Sequence, residues 1–175
     1  MHITIGNIWV LKNKPQLEKH DYVISCLDEE ESEHKLRTFD FPENIKGHNI
    51  GYFDDLDDLD PQRDEDKPQK EDIEALIAYI RSLPEDAKVL VHCTAGVGRS
   101  PACALGMLAS VSKTPEEAFE VWRSIPNAVH LYWPNDRIIR LFDECLYPGR
   151  TPPPLSSALK AWKAEAKEVS EIWHW

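Results

Sequence analysis

The chain has 175 residues and 20.1 kDa, a length for one domain with one proper core. With 42% hydrophobic and 29% charged residues it is too apolar for a disordered chain. Twenty Lys+Arg against thirty-one Asp+Glu give a net charge of −11, the wrong sign for bulk binding to nucleic acid or anionic lipid.

In chain order, Met1 to Gly6 carries neither the basic start nor the apolar stretch of a signal peptide. Ile3-Thr4-Ile5 and Ile8-Trp9-Val10 read as short strands broken by Gly6-Asn7. Tyr22 to Leu27 is a buried-strand run stopped by Asp28-Glu29-Glu30-Glu31, and Ile45 to Phe53 is a weaker strand interrupted by Gly47 and Gly51. Ile73, Leu76, Ile77 and Ile80 recur at helical spacing and predict a helix over 69–83. Val89-Leu90-Val91 fits a central strand buried on both faces. Ser100 to Val111, rich in Ala and Leu, reads as a buried helix.

Thr114-Pro115-Glu116-Glu117 is an N-cap, a Pro in the first turn and a Glu placed to close a capping box. The helix it opens should turn Ala118, Val121, Trp122 and Ile125 inward. A further helix starts at Asn135 or Asp136 and buries Ile138, Ile139, Leu141, Phe142 and Cys145 before Pro148-Gly149. The Pro-rich linker 150–154 leads to a last helix over 156–173. Strands separated by helices predict an α/β fold, a central, mostly parallel sheet flanked by helices with an extra C-terminal helix. The expected division is a catalytic domain at 1–149, then the linker and an amphipathic helix at 150–175. No apolar run approaches the roughly 20 residues of a membrane helix. Cys26, Cys93, Cys103 and Cys145 show no zinc-like spacing, so we expect a reduced, cytoplasmic protein with no metal and no cofactor.

The chemistry concentrates in Val89-Leu90-Val91-His92-Cys93-Thr94-Ala95-Gly96-Val97-Gly98-Arg99-Ser100. A Cys, five residues and an Arg lie between a buried strand and a helix start, with two glycines in the loop. Glycines allow unusual φ and turn successive N–H groups toward one point. The helix start adds unpaired amides and the positive end of its dipole. Thr94, Ala95, Gly96, Val97, Gly98 and Arg99 thus form a cradle for a tetrahedral oxyanion, with Arg99 forking two further hydrogen bonds. The same groups stabilise a thiolate at Cys93. Such a set specifies in-line attack by Cys93 on phosphorus and a phosphocysteine intermediate, with Ser100 donating to the departing sulfur. A buried structural Cys beside an anion-binding turn is the plainer alternative, but it needs neither the glycines nor the Arg.

His92 to Ser100 resembles the signature loop of the cysteine-based protein tyrosine phosphatases, specifically the small, bacterial-type dual-specificity-like branch. The resemblance runs from about Tyr22 to Leu146 and includes the Pro134-Asn135 step before the late helix. It implies a general acid, an Asp on an upstream loop. Asp54, Asp55, Asp57, Asp58 and Asp60 are available. Phe53-Asp54-Asp55-Leu56 resembles the family's segment best with Asp55 as the acid, and Asp54 is the alternative. The spacing of 38 positions from Asp55 to Cys93 implies an insertion. Some relatives carry a Cys near the position of Cys26 that pairs reversibly with the nucleophile; a small core residue is the other reading of Cys26. Cys103 and Cys145 read as core.

The resemblance implies a phosphorylated protein as substrate, with phosphotyrosine preferred or shared with phosphoserine/threonine. A small phosphate ester, an inositol phosphate or a phosphoglucan stays open, as does a phosphate-binding adaptor without turnover. The loop has no Lys, which family members acting on phosphoinositide 3-phosphates place there. Neither nucleic acid nor a membrane is expected as partner.

Residues 54–66 hold eight acidic side chains and one Arg, a net of −7, leaving −4 for the rest. A solvated acidic loop and a calcium loop are the two readings; the glycine and closing Glu of an EF-hand are missing. Leu155, Leu159, Trp162, Ala166, Val169 and Trp173 form a heptad stripe, with Trp175 closing the chain. The stripe either folds back on its own domain, leaving a monomer, or serves a homodimer or partner.

Overall fold

The computed structural model describes residues 1–28, 36, 39–52, 67–126 and 132–172, with the backbone alone at 167–172. Among them are four strands, β1 (His2–Asn7), β2 (Tyr22–Leu27), β3 (Gly47–Tyr52) and β4 (Lys88–Cys93). Seven helices accompany them: α1 (Trp9–Lys12), α2 (Lys14–Leu17), α3 (Lys70–Ser82), α4 (Arg99–Val111), α5 (Pro115–Ser124), α6 (Asp136–Leu146) and α7 (Pro154–Ile172). The sheet order is β1-β4-β2-β3 and every pairing is parallel. This is the α/β architecture expected, with β4 central and therefore apolar on both faces.

Period-two alternation sorts the side chains of the central strands. Val89, Val91 and Cys93 of β4 and Ile24 and Cys26 of β2 face the larger core, which α3 to α7 complete. Leu90, Val23 and Leu27 face a smaller cluster with Leu11, Leu17 and Leu36. Gly106 of α4 faces Phe142 of α6 so closely that an added Cβ would collide with the ring. Glycine there sets the approach of the two helices.

Several expectations need correction. Gly6-Asn7 does not break the first strand, which runs to Asn7. Residues 9–12 are a helical turn rather than a strand, because Asn7 Oδ1 accepts the Trp9 N–H at 3.1 Å and curls the chain. In α5, Phe119 is buried and Val121 is 43% exposed. There Trp122 anchors the helix by donating its Nε1–H to the Pro101 carbonyl at 3.0 Å and packs beside Phe119, turning Val121 outward. Thr114 caps α5 as expected, accepting from Glu117 N–H at 3.1 Å, but the Glu117 carboxylate reaches the Lys113 N–H instead of closing the box on Thr114. Cys145 is only half-buried, because it sits near the exposed end of α6.

Helix α7 folds back onto the body. Leu155, Leu159 and Trp162 are buried in the main core, and the Trp162 ring meets Trp122 edge-on at 5.2 Å. Asp143, buried in α6, caps its start by accepting from Leu155 N–H at 2.9 Å and Ser156 N–H at 2.8 Å. The side chain of Val169, and Trp173 and Trp175, lie outside the described residues.

Candidate active site

Strand β4 ends at Cys93 and α4 begins at Arg99, so the loop 94–98 sits at the C-terminal edge of the sheet. Ligand sites of open parallel sheets lie at that edge. Cys93 is 1% exposed, and its Sγ accepts the Gly96 N–H at 3.2 Å. Ser100 Oγ stands 3.3 Å from the same sulfur and also reaches the Gly6 carbonyl at 3.3 Å. The hydroxyl has one proton and two acceptors within reach, so it can turn to whichever carries more negative charge.

Gly96 is the one loop glycine with a left-handed backbone, φ +77. An added Cβ would lie 2.9 Å from the Gly6 carbonyl oxygen and 3.1 Å from Asn7 N. Gly98 does not use the left-handed freedom that the sequence suggested: at φ −102 it stands at the N-cap position of α4. Its carbonyl instead accepts from the Asn135 N–H at 3.3 Å, while Val97 accepts from the Trp133 N–H at 2.9 Å. Segment 133–135 therefore clamps the outer side of the loop. Asn135 itself caps α6 by accepting from Ile138 N–H at 3.1 Å.

Arg99 is 6% exposed and donates to Thr94 Oγ1 at 3.3 Å across the loop. It also stands 3.8 Å from the Asp28 carboxylate, at the end of β2. Sequence reasoning read Asp28 only as a strand stop, yet its carboxylate flanks the guanidinium. Behind the loop, Ser25 Oγ meets His92 Nε2 at 2.6 Å and His48 Nε2 at 2.8 Å. Burial holds both imidazoles down to about 4, so both are neutral near pH 7. These three residues went unnoticed in the sequence because strands 23 and 67 residues apart bring them together.

The structure brings Cys93, Thr94, Gly96, Arg99 and Ser100 to one point, with Ala95, Val97 and Gly98 completing the loop. Asp54 and Asp55, like the whole acidic stretch 54–66, lie outside the described residues. Cys26 is fully buried one residue past Ser25, and all four cysteines are free thiols. Burial first, and the neighbouring Cys26 thiol second, push the Cys103 thiol up, so it stays protonated. Among the described residues no cluster of His, Cys, Asp or Glu could hold a metal ion, and no helix is long and apolar enough to cross a membrane.

Residues 61–108 match the family model of the PTP-like phytases, whose description is inositol hexakisphosphate. No curated protein matches the sequence. Among solved structures, the chain is similar to the human tyrosine phosphatase-like serine/threonine/tyrosine-interacting protein (17% identity, 82% of this chain and 89% of that one, TM-score 0.58). It is also similar to a mouse putative dual specificity phosphatase complexed with zinc tungstate (16% identity, 94% and 86%, TM-score 0.55). PTPMT1 aligns at 16% identity over 95% of both chains, with a TM-score of 0.53. The chain has the fold of the cysteine-based protein tyrosine phosphatase superfamily.

Proposed function

We propose that the protein is a phosphomonoester hydrolase working through a phosphocysteine, with a tyrosine- or dual-specificity-type phosphoprotein substrate. One observation carries this reading: the Gly96 N–H and the Ser100 hydroxyl both converge on the Cys93 sulfur, beneath a buried Arg99. A packing cysteine needs no such donors.

In the first step the Cys93 thiolate attacks phosphorus in line, forming the S–P bond as the ester P–O bond breaks. Arg99 and the loop amides hold the equatorial oxygens, whose charge rises toward the transition state. Asp55, or Asp54 in its place, gives its proton to the leaving oxygen. In the second step that carboxylate takes a proton from water, which attacks phosphorus and breaks the S–P bond. Ser100 then turns its proton from the Gly6 carbonyl to the departing sulfur. Asp28 holds the guanidinium toward the loop before substrate arrives.

The match of residues 61–108 to the phytase model favours a second reading, an inositol phosphate as substrate. Against it, no Lys stands between Cys93 and Arg99 to meet additional phosphates. The test is hydrolysis of para-nitrophenyl phosphate in chelator by the wild type and by Cys93→Ser, followed by phosphopeptides, inositol phosphates and phosphoglucan. Turnover lost in Cys93→Ser supports the mechanism, and the preferred panel member decides the substrate. A wild type inert across mildly acidic pH would sink the enzyme reading in favour of a binding protein.

A further inference from the structure

Among the described residues strand β1 is an edge of the sheet, and a groove of about 850 Å³ runs along its whole length, from His2 to Asn7. The groove is a cleft between the two layers of the fold. Ile125 and Tyr132 of the larger core line one side, and Val10 and Gln16 of the α1–α2 segment line the other. At its upper end it reaches Ala95, Gly96 and Val97, the loop that cradles phosphate in the proposed reaction. At its lower end stand Lys19, Lys88, His2 and His20.

Charge gives the groove a polarity. In a chain of net charge −11, none of the described residues lining it is Asp or Glu. Lys19 and Lys88 are exposed. The nearby Asp21 carboxylate pairs with Lys46 at 3.2 Å through one oxygen and accepts the Lys88 backbone N–H at 3.2 Å through the other, leaving both lysine side chains without a carboxylate partner among the described residues. An exposed strand edge offers a row of backbone donors and acceptors to another extended chain. We propose that this groove docks the polypeptide flanking the phosphorylated residue, as an added strand on β1, and that Lys19 and Lys88 read acidic side chains at its far end.

Register sets the spacing. Asn7 lies opposite Cys93 and His2 opposite Lys88, five residues apart. At roughly 3.3 Å per residue the basic end is about 16 Å from the cradle. A single phosphorylated ring seated in the cradle is too short to reach it, whereas an extended peptide spans it in about five residues. The acidic positions preferred are therefore four to six residues from the phosphorylated one.

This inference rests on the phosphatase reading, and the test separates the two. Phosphopeptides carrying Glu or Gln at four to six positions on either side of the phosphorylated residue are compared as substrates of the wild type and of the double charge reversal K19E/K88E. Two exposed ion pairs are worth about a three- to tenfold preference. The wild type should show a KM lower by that factor for the acidic peptide on one side. K19E/K88E should abolish or invert the preference while para-nitrophenyl phosphate turnover stays unchanged. Binding of the same peptides to Cys93→Ser, followed by fluorescence anisotropy, reads docking even if no turnover occurs. N-methylation of alternate amides in the flank should weaken binding if the flank pairs with β1. Equal KM and equal affinity for acidic and neutral peptides would overturn the proposal, as would a preference that survives the charge reversal. Loss of para-nitrophenyl phosphate turnover in the wild type would instead overturn the underlying phosphatase reading. A chain that dimerises through this edge, seen as concentration-dependent mass in sedimentation and blocking peptide binding, would also overturn it.

Discussion

Ser25 on β2 and His92 on β4 are register partners, and their side chains meet at 2.6 Å immediately behind Cys93. His48 joins from β3, so one hydroxyl bridges two imidazoles held down to about 4 by burial. A serine hydroxyl can donate to one neutral ring and accept from the other, but two imidazolium rings leave it no acceptor nitrogen. An unfolded chain takes up these protons near pH 6.5, whereas the folded chain does so only near pH 4. Stability is therefore fully present above about pH 6.5 and falls as the pH drops toward 4, by roughly 1 kcal/mol per pH unit for His92. Urea melts at stepped pH check this, and His48→Gln should flatten part of the slope. A slope that His48→Gln leaves unchanged would remove His48 from the account.

Gly96→Ala places a Cβ against the Gly6 carbonyl in a backbone that side chains rarely adopt. The expected cost is about 1–3 kcal/mol of stability. Shifting the loop by a fraction of an ångström also misplaces its amides, so kcat/KM should fall by about 100-fold. Thermal melts and steady-state kinetics on one preparation distinguish the two effects. Wild-type values for both would show that the loop tolerates the shift.

Ser100→Ala removes the hydroxyl 3.3 Å from the sulfur. A hydrogen bond to a charged group is worth about 1.5–3 kcal/mol, so hydrolysis of the phosphocysteine should slow by roughly 10- to 100-fold. The first step should slow less, because the loop amides and Arg99 stay in place. Rapid-quench kinetics should then show a burst of product followed by a slow steady state. Equal slowing of both phases would make Ser100 a packing residue instead.

The choice between Asp55 and Asp54 is open to a leaving-group comparison. Converting the true acid to Asn should lower turnover by about 10²- to 10⁴-fold for an alkyl phosphate and much less for an aryl phosphate. The other variant should affect both substrates little. If neither variant separates the two leaving groups, the acid lies among Asp57, Asp58 and Asp60.

Truncation after Gly149 removes Leu155, Leu159 and Trp162 from the core and leaves the Asp143 carboxylate without the amides it accepts from. It also removes Lys163, which donates to the Pro134 carbonyl at 2.9 Å and pairs with Asp136 at 2.8 Å, bracing the segment that clamps the loop. Burying three large side chains contributes roughly 6 kcal/mol, comparable with the stability of a whole domain. The truncated chain should be unfolded or aggregated by circular dichroism and size exclusion. A soluble, active truncated monomer would instead assign α7 to a partner.

The loop from Cys93 to Ser100 was legible in the chain alone because its chemistry is contiguous: strand, glycine turn and helix start follow one another in eight residues. Helix α3 and strands β2 and β4 were legible too, since periodicity and apolar runs are local signals. Local signals misread Ile8 to Val10 as a strand and Val121 as core, where an Asx turn and the anchoring of Trp122 overrode them. The partners of the loop needed the folded chain. Asp28 beside Arg99, Ser25 between two histidines, Gly6 under Gly96 and the clamp from Trp133 and Asn135 each join residues far apart in sequence. No periodicity records such pairs, because register between parallel strands and the docking of one helix on another arise only when the whole core closes.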